Sequence, residues 1–351
     1  MRVAVTGATG NVGTSVVQAL SADTSIEEIV GIARRRPALT VARTRWVCAD
    51  VARDDLREAF AGVDAVIHLA WLIQPSRDRA ATRAVNVEGS RRVFEAAAAA
   101  GARTLVHASS VGAYSPGPKD RRVDESWPTG GIPTSFYSRD KAAVESILDT
   151  FEGAHPDVRV VRLRPGLIFK AEAASGIRRL FAGPLLPNFV LHPRVIAVVP
   201  ALERLRFQGV HSFDVAQAYR LALQRDVRGA FNVAAEPILD PQELGRLFGA
   251  RPVPVAPRLL RAAVDLSWKL RLQPTPPGWL DLALGVPLMD VTRARDELGW
   301  APSHSAGDAL LELVEAMRRG DGFATAPLQP GSVGPLRVGE LLTGVGARSQ
   351  R

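Results

Sequence analysis

"TGATGNVG", residues 6–13, follows the β-rich run "RVAV" at residues 2–5 and leads into "NVGTSVVQALSA" at residues 11–22, whose apolar residues recur at helical spacing. Glycines at 7, 10 and 13, with a predicted strand before them and a predicted helix after, form the setting a dinucleotide fingerprint requires. They allow a tight turn and close backbone approach, while the helix N-terminus offers unpaired N–H groups and a positive dipole end to a pyrophosphate. A Gly-rich turn without a ligand can carry the same spacing; the flanking strand and helix favour the binding reading. Gly7, Gly10, Asn11, Val12 and Gly13 are the residues it places on the phosphates.

Working outward, short apolar runs at 28–34, 44–50, 64–70, 104–110 and 158–166 alternate with helical patterns such as "NVEGSRRVFEAAAAAGA". Strands alternating with helices imply βαβ units and a mostly parallel, doubly wound α/β sheet. After Pro165 the rhythm weakens, and residues 170–210 are rich in Pro, Leu and Phe. A turn and helix resume at "GVHSFDVAQAYRLAL" and a strand at "GAFNVAAEP". The expected organisation is a cofactor domain over 1–169 plus about 210–235, a smaller discontinuous substrate domain over about 170–209 and 236–320, and a Gly- and Pro-rich flexible tail over 321–351.

Composition narrows the function classes. With 46% apolar residues among 351, the chain can fill a sizeable core. The net charge of +8 comes from arginines spread along the sequence, not from a clustered basic face, so no nucleic-acid partner is expected. No charged leader precedes an apolar run, and no apolar stretch reaches the roughly 20 residues of a spanning helix. Cys48 is the only cysteine, and the six histidines show no HxxxH spacing, so neither an internal disulfide nor a metal is expected. A cytoplasmic protein without a membrane partner fits these features.

Two further stretches carry chemistry. At the end of the second strand, where an acid would hold the ribose 2′-hydroxyl of NAD, "GIARRRPA" has Ala33 followed by Arg34, Arg35 and Arg36. The missing acid and the arginines favour NADP with NAD possible; a solvated basic patch is the competing explanation. In "FYSRDKAAVE", residues 136–145, Lys141 lies four places after Tyr137 and shares its helical face. A phenol titrates near 10, and an adjacent ammonium would bring it toward the range of a general acid or base. An aromatic anchor beside a solvated charge is the alternative.

In order, "TGATGNVG", "HLA" (68–70), "NVEGS" (86–90), "SSVGAYS" (109–115), "YSRDK" (137–141) and "RPGLIF" (164–169) resemble the extended short-chain dehydrogenases/reductases, the NAD-dependent epimerase/dehydratase group. "VHSFDVAQA" (210–218) and "LMDVTRARDELGWAP" (288–302) look like that group's later signatures, so the resemblance covers about residues 1–318. It implies a Rossmann-type domain in which Tyr137 is the general acid/base, Lys141 lowers its pKa and binds the nicotinamide ribose, and Ser110 bonds the reacting oxygen. Ser109 is the neighbouring candidate. Asn86 resembles the group's active-site helix asparagine, or else caps its helix. Asp50 and Val51 would meet the adenine, Leu69 and Ala70 would lie along the cofactor, and Pro165 with Gly166 would approach the nicotinamide. Homodimerisation is a further family expectation.

The reaction is less fixed. Val111 and Gly112 follow Ser110 where 4,6-dehydratases carry an acidic pair, and Phe207 stands where epimerases carry an arginine, with Arg206 one residue off. Arg178 and Arg179 either meet a diphosphate or form a solvated face. The apolar stretch 180–202 suggests a pocket wall for a partly hydrophobic small-molecule substrate, or an interface. The reading is a hydride-transferring NAD(P) oxidoreductase. A nucleotide-sugar epimerase with tightly bound NAD and a non-catalytic dinucleotide sensor are the alternatives. His68 and His107 read as buried, satisfied histidines, and His211 with Asp214 as a hydrogen-bonded turn before a helix.

Overall fold

Val3, Ala4 and Val5 have no exposed surface, because β1 (Arg2–Thr6) runs between two neighbours and under helices on both faces. The computed structural model describes residues 1–74, 76–181 and 197–329. The chain continues through α1 (Asn11–Ala22), β2 (Glu28–Ala33), β3 (Thr44–Cys48), β4 (Ala65–His68), α2 (Arg79–Arg83), α3 (Gly89–Ala99) and β5 (Thr104–Ala108). Next come β6 (Arg122–Val123), α4 (Phe136–Ala154), β7 (Arg159–Pro165), β8 (Leu167–Phe169), α5 (Ala174–Phe181), β9 (Val198–Ala201), β10 (Gly209–His211), α6 (Ser212–Gln224) and β11 (Gly229–Val233). It closes with α7 (Pro241–Phe248), β12 (Arg251–Pro254), α8 (Pro257–Lys269), α9 (Gly278–Gly285), β13 (Leu288–Met289) and α10 (Ala306–Arg319).

Seven strands form one parallel sheet in the order β11-β7-β5-β4-β1-β2-β3. The chain builds outward from β1 to β3, then crosses back to β4 and builds the other way. The direction reverses at the C-terminal ends of β1 and β4, where a doubly wound sheet opens a crevice for ligand. Alternation along β1 sorts the core: Val3 and Val5 pack with Val16 and Leu20 of α1 and Val215 and Tyr219 of α6. Ala4 turns to the opposite face, with Phe94 of α3 and Leu148 of α4.

The second unit gathers α5, α7, α10 and the β9–β12 pair around Phe169, Leu244, Ala309 and Leu313. The segment expected to be a flexible tail from 321 is docked over its first nine residues, where Thr325 and Leu328 are buried. Ser175 Oγ donates to the Asp321 carbonyl at 2.6 Å, and Thr325 Oγ1 to the Thr9 carbonyl at 2.8 Å. Gly and Pro richness gave no hint of these two hydrogen bonds. Residues 330–351 and most of the apolar stretch 180–202 lie outside the described residues, so the proposed wall is represented by residues 180–181 and 197–202.

Candidate active site

The loop after β1 is built for contact. Gly7 has φ +70, in the left-handed region, and a Cβ there would fall 2.7 Å from the Ala70 nitrogen and 2.8 Å from the Leu69 carbonyl carbon. A Cβ on Gly13 would lie 2.2 Å from the Gly7 oxygen. Gly10 caps α1 without a side-chain hydrogen bond, and the first turn carries no acid, so its N–H groups and positive end face the crevice uncompensated. Asn11 Nδ2 donates to the Ile168 carbonyl at 3.3 Å, while its buried Oδ1 has no partner among the described residues. This cradle, with a spare acceptor beside it, fits a dinucleotide.

The other residues assigned to the cofactor stand along the same C-terminal edge. Arg34 and Arg35 are exposed directly after β2. Asp50 follows β3 and accepts the Ala52 N–H at 3.0 Å, and Val51 beside it is buried. Leu69 and Ala70 follow β4, and Pro165 ends β7 next to Val233 of β11. Two residues the sequence reading passed over support the cradle from behind. Lys170 is buried and donates to Thr14 Oγ1 at 2.7 Å and Ser15 Oγ at 3.1 Å, and Thr325 holds Thr9.

Tyr137 sits in the first turn of α4, which Ser135 caps and Ser138 staples to the preceding loop through the Ile132 N–H at 2.6 Å. Its ring lies on Gly112, where a Cβ would come within 2.8 Å of Tyr137 Cε1. Ser110 accepts the Gly112 N–H at 3.0 Å, and its Oγ would lie 3.3 Å from the same Cβ. Burial raises the phenol's pKa, and Ser110 opposes that rise. Lys141 Nζ donates to the Ala108 carbonyl at 2.6 Å and lies 3.4 Å from the Trp71 ring centroid, against 5.9 Å from that of Tyr137. Burial pushes the Lys141 ammonium down to about 7.

Asn86 is tied to the backbone of the loop after β4. It is fully buried in the π-helical turn between α2 and α3, and both ends of its amide hold the Leu72 backbone, Oδ1 at 2.7 Å from the nitrogen and Nδ2 at 2.8 Å from the oxygen. It fixes the loop that carries Trp71. Ser109 is spent elsewhere, donating to Glu145 Oε1 at 2.5 Å. Glu145, one turn beyond Lys141, meets Arg164 through bonds of 2.8 and 2.9 Å and Arg162 at 3.0 Å. Burial alone would raise its pKa, but these guanidiniums and Ser109 hold the carboxyl down to about 2. The network ties α4 to β7 and so fixes the helix that bears Tyr137.

His68 is buried and satisfied, with Thr6 Oγ1 at 2.7 Å and Ser90 Oγ at 2.9 Å. His107 is equally buried but has no partner at either ring nitrogen among the described residues, contrary to the expectation of a satisfied histidine. Burial, with the Lys141 charge second, pushes His68 to about 3 and His107 well below its usual value, so both are neutral. His211 caps α6, and Asp214 accepts from Ser303 Oγ at 2.5 Å and the His304 N–H at 3.0 Å. Arg206 Nη1 donates to the Lys119 carbonyl at 2.6 Å, Phe207 pairs with Leu239, and Arg179 donates to the Pro327 carbonyl at 2.5 Å.

Aromatic side chains from three separate segments gather beside the phenol, of which the sequence reading had singled out only Phe181, within the 180–202 stretch. The Trp279 ring of α9 is 4.9 Å from that of Tyr137, Trp71 is 5.9 Å from it, and Phe181 meets Trp279 edge-on at 4.9 Å. Gly278 makes this approach possible, since a Cβ there would strike the Thr134 carbonyl at 2.4 Å.

Residues 3–234 match the family described as NAD dependent epimerase/dehydratase. An uncharacterized protein of Mycobacterium tuberculosis is 29% identical over 322 residues, which is 91% of this chain but 30% of that protein's length. The chain thus spans 30% of the first curated relatives it matches. Sterol demethylase protein B of Methylococcus capsulatus is 32% identical over 239 residues, 65% of this chain and 68% of that one. The solved UDP-glucuronic acid 4-epimerase of Bacillus cereus, in complex with UDP-glucuronic acid and NAD, aligns with TM-score 0.66 at 17% identity, covering 91% of this chain and 99% of that one. At that identity the likeness is one of fold.

Proposed function

The chain belongs to the NAD dependent epimerase/dehydratase family, and from that premise we propose that it is an NAD(P)-dependent oxidoreductase acting at a carbonyl or secondary alcohol carbon. The observation that carries the proposal is Tyr137, which meets Ser110 over Gly112 beside buried Lys141, on the same edge of the sheet as the Gly7–Gly13 cradle. The dinucleotide, when bound, supplies or accepts the hydride. Tyr137 gives its proton to the carbonyl oxygen, and Ser110 holds that oxygen in place. Because burial raises the phenol's pKa, Tyr137 is protonated at neutral pH and ready as an acid, which favours carbonyl reduction there. Alcohol oxidation needs the phenolate and should gain as pH rises.

The N–H groups of Asn11, Val12 and Gly13 would hold the pyrophosphate, Asp50 and Val51 the adenine, and Lys141 the nicotinamide ribose. Arg34 and Arg35 after Ala33 support NADP over NAD, since a 2′-phosphate would meet two exposed guanidiniums and no acid. Arg34→Ala or Arg35→Ala should weaken NADPH binding by roughly tenfold while sparing NADH, read by nucleotide fluorescence titration. A wild type that already prefers NADH would overturn this assignment.

The reaction class is tested with reduced dinucleotide deuterated at nicotinamide C4 and a panel of ketones. An oxidoreductase puts one deuterium on the product carbinol carbon and releases oxidised dinucleotide, as read by mass spectrometry. Interconversion of epimers without net dinucleotide consumption would replace this reading with the epimerase alternative.

A further inference from the structure

The three aromatic rings around Tyr137 bear on what reaches its hydroxyl. Trp71 comes from the loop after β4, Phe181 from the end of α5 and Trp279 from the start of α9. Their positions are built in. Asn86 holds the Trp71 loop, and Gln74 Nε2 of the same loop donates to the Leu180 carbonyl at 3.1 Å and the Pro274 carbonyl at 3.2 Å. Ile132, Leu282 and Val286 are buried together behind Trp279 and Tyr137, so the two rings rest on an aliphatic backing. The indole N–H groups of Trp71 and Trp279 are buried and have no acceptor among the described residues.

Nearby basic groups are already engaged. Lys119 donates to the carbonyls of Arg206 and Ala283 at 2.7 and 2.9 Å. Arg204 donates to those of Leu284 and Gly117 at 3.0 and 2.8 Å, and Arg206 to that of Lys119 at 2.6 Å. These cations brace the 117–119 loop against α9 instead of presenting a fork to a diphosphate. Burial pushes Lys119 down to about 7, which further weakens it as an anion site.

We infer that the substrate is a ketone, or the matching secondary alcohol, on a flat apolar fused-ring system that stacks on Trp279 and abuts Trp71, and not a nucleotide sugar. Ring faces and aliphatic walls recognise flat hydrocarbon through buried area and stacking. This inference rests on the carbonyl reading above for the reacting atom but concerns the walls alone, so the two can fail separately.

The test uses trans-1-decalone as the fused-ring probe and UDP-glucose as the contrasting ligand, with binding read by quenching of intrinsic tryptophan fluorescence in the presence of NADPH or NADH. Decalone is expected to bind and UDP-glucose not to. Trp279→Ala should weaken decalone binding about tenfold or more, and Trp279→Phe, which keeps a ring and controls for folding, should recover most of it. Absence of decalone binding, UDP-glucose binding in its place, or unchanged affinity in Trp279→Ala would overturn the inference. Normal decalone binding without dinucleotide oxidation would uphold the wall assignment and count against the oxidoreductase reading.

Discussion

Tyr137→Phe is expected to lower kcat/KM for carbonyl reduction by roughly 10²–10⁴-fold, the usual contribution of a positioned acid, with dinucleotide affinity unchanged. The substitution isolates the hydroxyl. The ring rests on Gly112 and between Trp71 and Trp279, and phenylalanine keeps all of those contacts. Thermal unfolding should therefore move little. Single-turnover rates with reduced dinucleotide, set beside a binding titration, separate the two effects. Turnover surviving in the variant would remove Tyr137 from the chemistry.

Glu145→Gln should cost about 3–5 kcal/mol of folding stability, the range for breaking a buried ion pair. The loss concentrates on Arg164. Arg162 keeps Asp149 and Glu152, whereas Arg164 is left with the Tyr114 hydroxyl at 3.1 Å and the Glu125 carbonyl at 2.9 Å among the described residues. A urea midpoint that falls with an unchanged slope would report this. Combining Glu145→Leu with Arg164→Met should recover much of the loss, because no buried charge is then left alone.

The same carboxylate gives a pH signature. Its pKa falls on folding from 4.5 to about 2, so its contribution is complete above about pH 4.5 and disappears as pH drops toward 2. The wild type should lose stability across that window more steeply than Glu145→Gln. Parallel acid titrations of the two would show it.

The sheet was legible because its signals are local. Valine alternation in "RVAV" and glycines at 7, 10 and 13 fix a strand, a turn and a helix whatever the rest of the chain does. Tyr137 and Lys141 were legible as a pair for the same reason, since four residues on a helix give one face. Where the ammonium points was not, because Trp71 and the Ala108 carbonyl decide it and both come from other strands. Glu145 left a clue that went unused. Arg162 and Arg164 alternate with Val161 and Leu163 in a run otherwise fit for burial, and two guanidiniums inside a sheet demand an acid. Trp279 left no clue. Its neighbours have no period, and only the close approach at Gly278 brings it to the phenol.

The bond from Thr325 to the Thr9 carbonyl joins the glycine-rich turn to a residue 316 positions later in the chain. A ribosome therefore releases Gly7, Gly10 and Gly13 well before Thr325. On the nascent polypeptide, β1 and α1 can pair and pack while Thr9 still lacks this partner. The glycine-rich cradle is therefore completed only after Thr325 is made, although nearly all of its atoms are translated earlier.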